Sequence, residues 1–346
     1  MLINGKATRE LQARIASQKE VYCSGLFLSA RWFVVSQAAG PGMHVIILPT
    51  REAAEYCAAD LYNIVEGDCV FYLPDTGKSV ERSNYKSTLG VQRTSAISKI
   101  LAPPEKLFIV TYPEAMEEPV PGKGKVEGAV LTLRPGDRIG FQSVRDTLTG
   151  QGFEKVDFVA APGQFAVRGS IIDIFSYSYN HPYRLSFFGN EIDVIHTFDC
   201  NTQLSLEKVE QADIYPDLVS EAGADGIRVS ELFPADTLVW LDSSDMYREK
   251  DFFPALASFS RVFLEVPLSA ENRETVDFRI APQPVFNKNF ELLEADIRQR
   301  MEGGYKVFIF GEKESQLERL RSILLQDGIP LPEFIPGRNF HDGFID

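Results

Sequence analysis

The stretch GQFAVRGSIIDIFSYSYNHPYRLSFFGNEIDVIHTFDCNTQLS, residues 163–205, alternates apolar and polar residues with the two-residue period of half-buried strands. Strands are expected near 153–159, 164–175, 182–188, 190–198 and 203–214, behind one amphipathic helix over 141–151. Closely spaced strands with short turns make a small α+β domain containing an antiparallel sheet. In Pro182–Phe188 (PYRLSFF), Tyr183, Leu185 and Phe187 form one face, suited to packing on that helix, and Arg184, Ser186 and Phe188 the other. In Gln164–Arg168, Phe165 and Val167 point inward and leave Ala166 and Arg168 outside, with Gly169 permitting a bulge or bend. Two arginines beside an unpaired phenylalanine suit a protein-docking surface, because guanidinium offers planar multiple donors and the ring supplies apolar area. Single exposed apolar residues are also common on ordinary surface.

On both sides of this stretch the pattern changes. Upstream, 43–49 (MHVIILP), 68–73 (DCVFYL) and 106–111 (KLFIVT) read as buried strands, with helices over 50–65 and 84–101 between them. Strands alternating with helices imply a parallel sheet with crossover helices. Pro119–Gly128 is rich in proline, glycine and lysine and is expected to be an exposed connection. Downstream of Pro234 the alternation returns, with strands at 237–241, 261–265 and 306–310 and helices near 244–258, 287–302 and 313–326, the last stopping at Gly328 before Pro330. The expected organisation is a discontinuous α/β domain, 1–124 and 219–346, with the α+β domain, 125–218, inserted into it.

The 346 residues, 44% hydrophobic, are enough for two or more cores. A net charge of −14, from 49 acidic and 35 basic residues, disfavours a stand-alone nucleic-acid binder, since such a surface repels phosphate. Lys6, Arg9, Glu10 and Arg14 stand where a signal peptide needs an apolar core, and Arg31 and Gln37 interrupt the most apolar run, 25–40. A cytoplasmic protein without membrane association is expected. Cys23, Cys57, Cys69 and Cys200 are too scattered for a zinc site and suit free thiols.

Catalytic motifs are missing. The only Gly-Lys-Ser, Gly77-Lys78-Ser79, has Tyr72 where a phosphate loop needs its first glycine. A loop after the first strand falls at Ser24–Ala30, where Ser24, Gly25 and Leu26 allow a strand-to-helix turn, but the stretch has no lysine. No Asp-Glu dipeptide is present to hold magnesium and water, and neither His-Glu-x-x-His nor Gly-x-Ser-x-Gly occurs. The four histidines, 44, 181, 196 and 341, read as structural or exposed. Asp173 with Glu191 or Asp193 is an acid–base candidate, against the simpler reading of ion pairs with neighbouring arginines. No catalytic residue, cofactor or metal is therefore expected in this chain.

The order Arg168-Gly169, Ile172-Asp173-Ile174-Phe175, Arg184-x-x-Phe187-Phe188, Glu191-Ile192-Asp193 and Phe198-Asp199 is similar to the second domain shared by the excinuclease component UvrB and the transcription-repair coupling factors. Weaker similarity includes Ser24-Gly25-Leu26 and Tyr72-Leu73-Pro74-Asp75. The resemblance implies a degenerate RecA- or helicase-like parallel-sheet domain with the α+β domain inserted. Only a short linker separates Asp75 from the helix near Asn84, leaving no room for the DNA-clamping hairpin of UvrB, so the coupling factors are the nearer relatives. Thr76–Glu81 replaces the usual Trp-Glu-Thr-Leu-Pro-Tyr, so no role passes to that tract.

By this resemblance the chain is the amino-terminal module of a larger protein. It would recruit the nucleotide-excision-repair protein UvrA to polymerase stalled at DNA damage, through Arg168, Arg184 and Phe188, on a face masked by the parent's carboxy-terminal regulatory region. RNA polymerase, double-stranded DNA, ATP and magnesium would belong to motor domains outside the chain. The alternative is a helicase-like nucleotide-dependent DNA-processing enzyme related to UvrB, using Lys78 or another site.

Overall fold

The computed structural model describes residues 5–77, 84–178, 181–221, 225–287, 289–326 and 331–346. Helix α1 (Gly5–Ser17) leads into β1 (Glu20–Ser24), then α2 (Ala30–Ala38), β2 (Gly42–Ile47), α3 (Arg51–Ile64), β3 (Val70–Tyr72), α4 (Asn84–Leu101) and β4 (Lys106–Thr111). After α5 (Pro113–Glu117) and α6 (Lys123–Ala129) come β5 (Leu131–Leu133), α7 (Phe141–Gly150), β6 (Glu154–Lys155), β7 (Gln164–Arg168), β8 (Ile171–Ile174), β9 (Tyr183–Phe188), β10 (Glu191–Phe198), β11 (Ser205–Val209), β12 (Ala212–Ile214) and α8 (Leu218–Glu221). The remainder holds β13 (Leu238–Leu241), β14 (Ser260–Phe263), β15 (Thr275–Asp277), β16 (Ala281–Pro282), α9 (Phe290–Glu302), β17 (Phe308–Gly311), α10 (Glu314–Gln326), β18 (Glu333–Pro336) and β19 (Phe344–Ile345).

Seven strands form one parallel sheet in the order β15-β1-β14-β13-β2-β4-β3. Its strands come from two chain segments, one before residue 112 and one after 237, so the sheet is complete only when β13 docks on β2 and β1 inserts between β14 and β15. Parallel strands are buried on both faces. Leu238 and Trp240 accordingly enter the core with Phe108 and Val110, and Val239 and Leu241 enter the opposite core with Ile109. Between the two segments lies a six-stranded sheet, β11-β10-β9-β8-β7-β6, antiparallel except at β6 and β7. The expected class holds: an α/β, helicase-like parallel-sheet fold with a smaller α+β unit interposed.

Several local expectations are corrected. The helix expected near 244–258 is two 3₁₀ turns, Ser244–Met246 and Phe253–Ser258. Ser243 is left-handed at φ 49° and Pro254 has no N–H, so neither supports a continuous helix. Pro119–Gly128 is not simply exposed: Val120 and Val126 are buried in the core, and Val120 exchanges backbone hydrogen bonds of 2.9 and 2.8 Å with Ile227. The strand at 306–310 does not join the large sheet; β17 pairs with β18 in a separate two-stranded sheet. Lys78, Ser79, Val80 and Glu81, and the stop at Gly328 and Pro330, lie outside the described residues.

Candidate functional site

Helix α7 covers one face of the antiparallel sheet. Val144 and Leu148 pack with Phe165, Ile172, Tyr183, Leu185 and Phe187, and the Phe141 and Phe187 rings meet edge-on at 5.2 Å. The partition of β9 follows the alternation, because residues 183, 185 and 187 are consumed by this core and Arg184, Ser186 and Phe188 are turned to the opposite face. Phe188, next to the hairpin glycine Gly189 at φ 62°, is 85% exposed.

On that outer face the cross-strand register lines up Ala166, Asp173, Arg184 and His196, and beside them Arg168, Ile171, Ser186 and Val194. Asp173, whose side chain is 1% exposed, accepts hydrogen bonds from Arg184 Nε at 2.7 Å and Nη2 at 2.9 Å, and one from Arg168 Nη2. A bidentate guanidinium and a second donor compensate the cost of burying this carboxylate. The same hydrogen bonding holds the Arg184 guanidinium more firmly in its charged form. Arg184 Nη1 also donates to the Gln203 carbonyl at 3.0 Å. Gln203 is left-handed at φ 60° in a loop capped by Asp199, which accepts from the backbone of Asn201 at 3.0 Å and Thr202 at 2.7 Å. Each guanidinium lies over a ring: Arg184 is 4.3 Å from the buried Phe198 centroid, and Arg168 is 4.9 Å from the exposed Phe158 centroid.

The structure thus brings Arg168 and Arg184 onto one carboxylate and leaves Phe188 on the same face at the strand end. The sequence reading requires two corrections here. Ala166 is buried rather than outside, because Val159, Phe175 and Phe198 close over it as a second small core. Arg184 is mostly covered, its side chain 16% exposed against 38% for Arg168. Asp173 is an ion-pair hub, and Glu191 pairs with Arg138 at 3.2 Å, so the simpler reading of these acids holds. Phe158 and Gln203 went unnoticed: both fall within strands expected at 153–159 and 203–214, but the strands are only Glu154–Lys155 and Ser205–Val209, so both residues lie in connecting segments that strand alternation does not place.

The loop at Ser24–Gly25–Leu26 is closed by its own chain. Gly25 has φ 65°, a Cβ there would lie 2.6 Å from the Arg279 nitrogen, and Phe278 and Ile280 donate backbone hydrogen bonds of 3.0 and 2.8 Å to the Ser24 and Gly25 carbonyls. A cation does stand next to it: Arg31, in the first turn of α2, pairs with Asp242 at 2.9 Å and with Glu265. At the start of the same helix, Ser29 Oγ donates to the buried Asp60 at 2.5 Å and accepts from the Asp342 nitrogen at 3.0 Å. Burial pushes the Asp242 carboxyl up to about 6 and raises that of Asp60. One guanidinium facing two carboxylates does not fit a polyphosphate. Among the described residues no group of three or more His, Cys, Asp or Glu side chains is placed to hold a metal, and no helix is long and apolar enough to cross a membrane. His44 is structural: its Nε2 is 2.9 Å from the Gly40 carbonyl, its Nδ1 accepts from Trp240, and burial pushes it down to about 4.

The segment that carries the two-arginine face matches a known family. Residues 131–218 match the UvrB interaction domain. The match runs from β5 to the first residue of α8, and so contains the whole antiparallel sheet and α7. The chain is 31% identical over 191 residues to the transcription-repair-coupling factor of Mycobacterium tuberculosis, a match covering 53% of this chain and 15% of that protein. It is 32% identical over 126 residues to that of Escherichia coli, covering 36% and 10%, and 29% identical over 201 residues to that of Bacillus subtilis, covering 57% and 17%. The resemblance to the coupling factors is therefore borne out, and the matched region spans less than a fifth of each of these relatives.

Proposed function

We propose that this chain is a recruitment module in transcription-coupled repair, docking UvrA on the outer face of its UvrB interaction domain through Arg168, Arg184 and Phe188, without ATPase activity of its own. The observation that carries this reading is the pairing of two guanidiniums on one buried carboxylate with an 85%-exposed phenylalanine, inside the segment that matches the UvrB interaction domain. The two guanidiniums retain donors beyond those given to Asp173, and Phe188 has apolar area to lose on contact. The carboxylate-lined loop at Gly25 supports the absence of nucleotide binding. On this reading RNA polymerase, double-stranded DNA, ATP and magnesium are handled by regions of the relatives that the match does not cover, and a carboxy-terminal regulatory region masks the face in the parent protein.

The test is calorimetric titration of the chain with purified UvrA. Arg184→Ala and Phe188→Ala are each expected to weaken binding by about 1 to 3 kcal/mol, the usual range for interface anchors. Unchanged affinity in both variants discards the docking role. A parallel titration with labelled ATP is expected to show no saturable binding, and micromolar saturation would favour the helicase-like alternative.

A further inference from the structure

Phe158 lies in the segment between β6 and β7, next to Val159, which is fully buried and pins the segment against the sheet. Its ring is nevertheless 61% exposed. It carries the Arg168 guanidinium 4.9 Å above its centroid, so a charge and an apolar surface are both held at the solvent boundary. A cation over an exposed ring gains little in water and more once both are dehydrated. Covering the pair also removes water from the guanidinium, so a group that covers it favourably must bring a counter-charge with its apolar surface.

The sheet register says what would cover it. Arg168 is level with Ile171 on β8 and Ser186 on β9, and Phe188 follows Ser186 by two residues on the same face. At about 4.8 Å between strands, β9 is about 10 Å from β7. Arg168, on β7, therefore sits between two exposed rings, Phe158 on the β6 side and Phe188 on the β9 side. Arg168, Arg184 and Asp173 together leave one positive charge there, in a chain whose net charge is −14.

We propose that Phe158 is a second aromatic anchor of the docking face, and that Phe158, Arg168 and Phe188 together receive an acidic side chain flanked by apolar residues on the partner. This rests on the docking role proposed above. Titrated with purified UvrA, the whole chain carrying Phe158→Ala is expected to bind about tenfold more weakly, and Phe158→Tyr, which keeps the ring, to bind as the unmodified chain does. Phe158→Leu, which keeps apolar volume without the ring, is expected to lose affinity as well and serves where the alanine variant folds poorly. In the double variant F158A/R168A the losses should be less than additive, because the ring acts through the guanidinium. Normal affinity in both F158A and F158L, with R184A and F188A weakened, overturns the role of Phe158 and leaves the docking role standing. Normal affinity in all four overturns both.

Discussion

Two arginine–carboxylate clusters in this molecule have opposite balances. At the carboxyl edge of the parallel sheet, Arg31 is shared by Asp242 and Glu265, one cation to two anions. On the antiparallel sheet, Asp173 is shared by Arg168 and Arg184, one anion to two cations. The first stands where a nucleotide-binding relative would accept phosphate, and its excess negative charge and overlying backbone oppose that. The second faces outward beside an exposed phenylalanine, with positive charge left over. Similar ingredients thus leave opposite charge at two places in the molecule, and charge stoichiometry decides which.

The comparison is broken most directly at Asp173. Replacing it with leucine strands Arg184 in a largely covered position, and urea denaturation should show a loss of about 3 to 4 kcal/mol; the double variant D173L/R184L should recover part of it. A wild-type denaturation midpoint for D173L would mean the two guanidiniums do not depend on that carboxylate.

At the other cluster the effect is read through pH. Burial raises the Asp242 carboxyl to about 6 in the folded chain, so the folded state holds this proton where the unfolded chain releases it. The contribution is greatest below the ordinary carboxylate range and is lost as pH rises toward 6. Relative to Asp242→Asn, the unmodified chain should therefore lose roughly 2 to 3 kcal/mol between pH 4 and pH 6.5. A pH-independent difference between the two proteins would show that Asp242 is ionised throughout.

Smaller effects sharpen the contrast. Gly25→Ala places a Cβ against the Arg279 backbone at a left-handed φ and should cost about 2 kcal/mol, seen as a lower thermal midpoint. An unchanged midpoint would mean the loop is not held closed by residues 277–280. Phe188→Ala should leave stability within about 0.5 kcal/mol of the unmodified chain, since an 85%-exposed ring contributes little packing. A large loss there would place Phe188 in the core rather than on the outer face of the sheet.

The partition of β9 was legible in PYRLSFF, because a two-residue period is a property of adjacent residues and needs no knowledge of the rest of the chain. The buried runs of β2 and β4 were legible for the same local reason. Ala166 was misplaced because the residues that bury it, Val159, Phe175 and Phe198, lie outside its strand, before and after it in the chain. The break in the helix expected near 244–258 was foreshadowed by Pro254, but the pairing of β17 with β18 rather than with the large sheet was not, since strand partners are set by tertiary packing.

The sequence by itself determined which side chains of the antiparallel sheet face outward, and that no phosphate-binding lysine follows β1. Only the tertiary structure decided the charge balance at each site. The Arg31 hydrogen bonds reach Asp242 across 211 residues and Glu265 across 234, and the ring under Arg168 comes from a segment outside any strand. Charges are paired by proximity in space, and proximity across such separations is fixed only when the chain has closed its sheets.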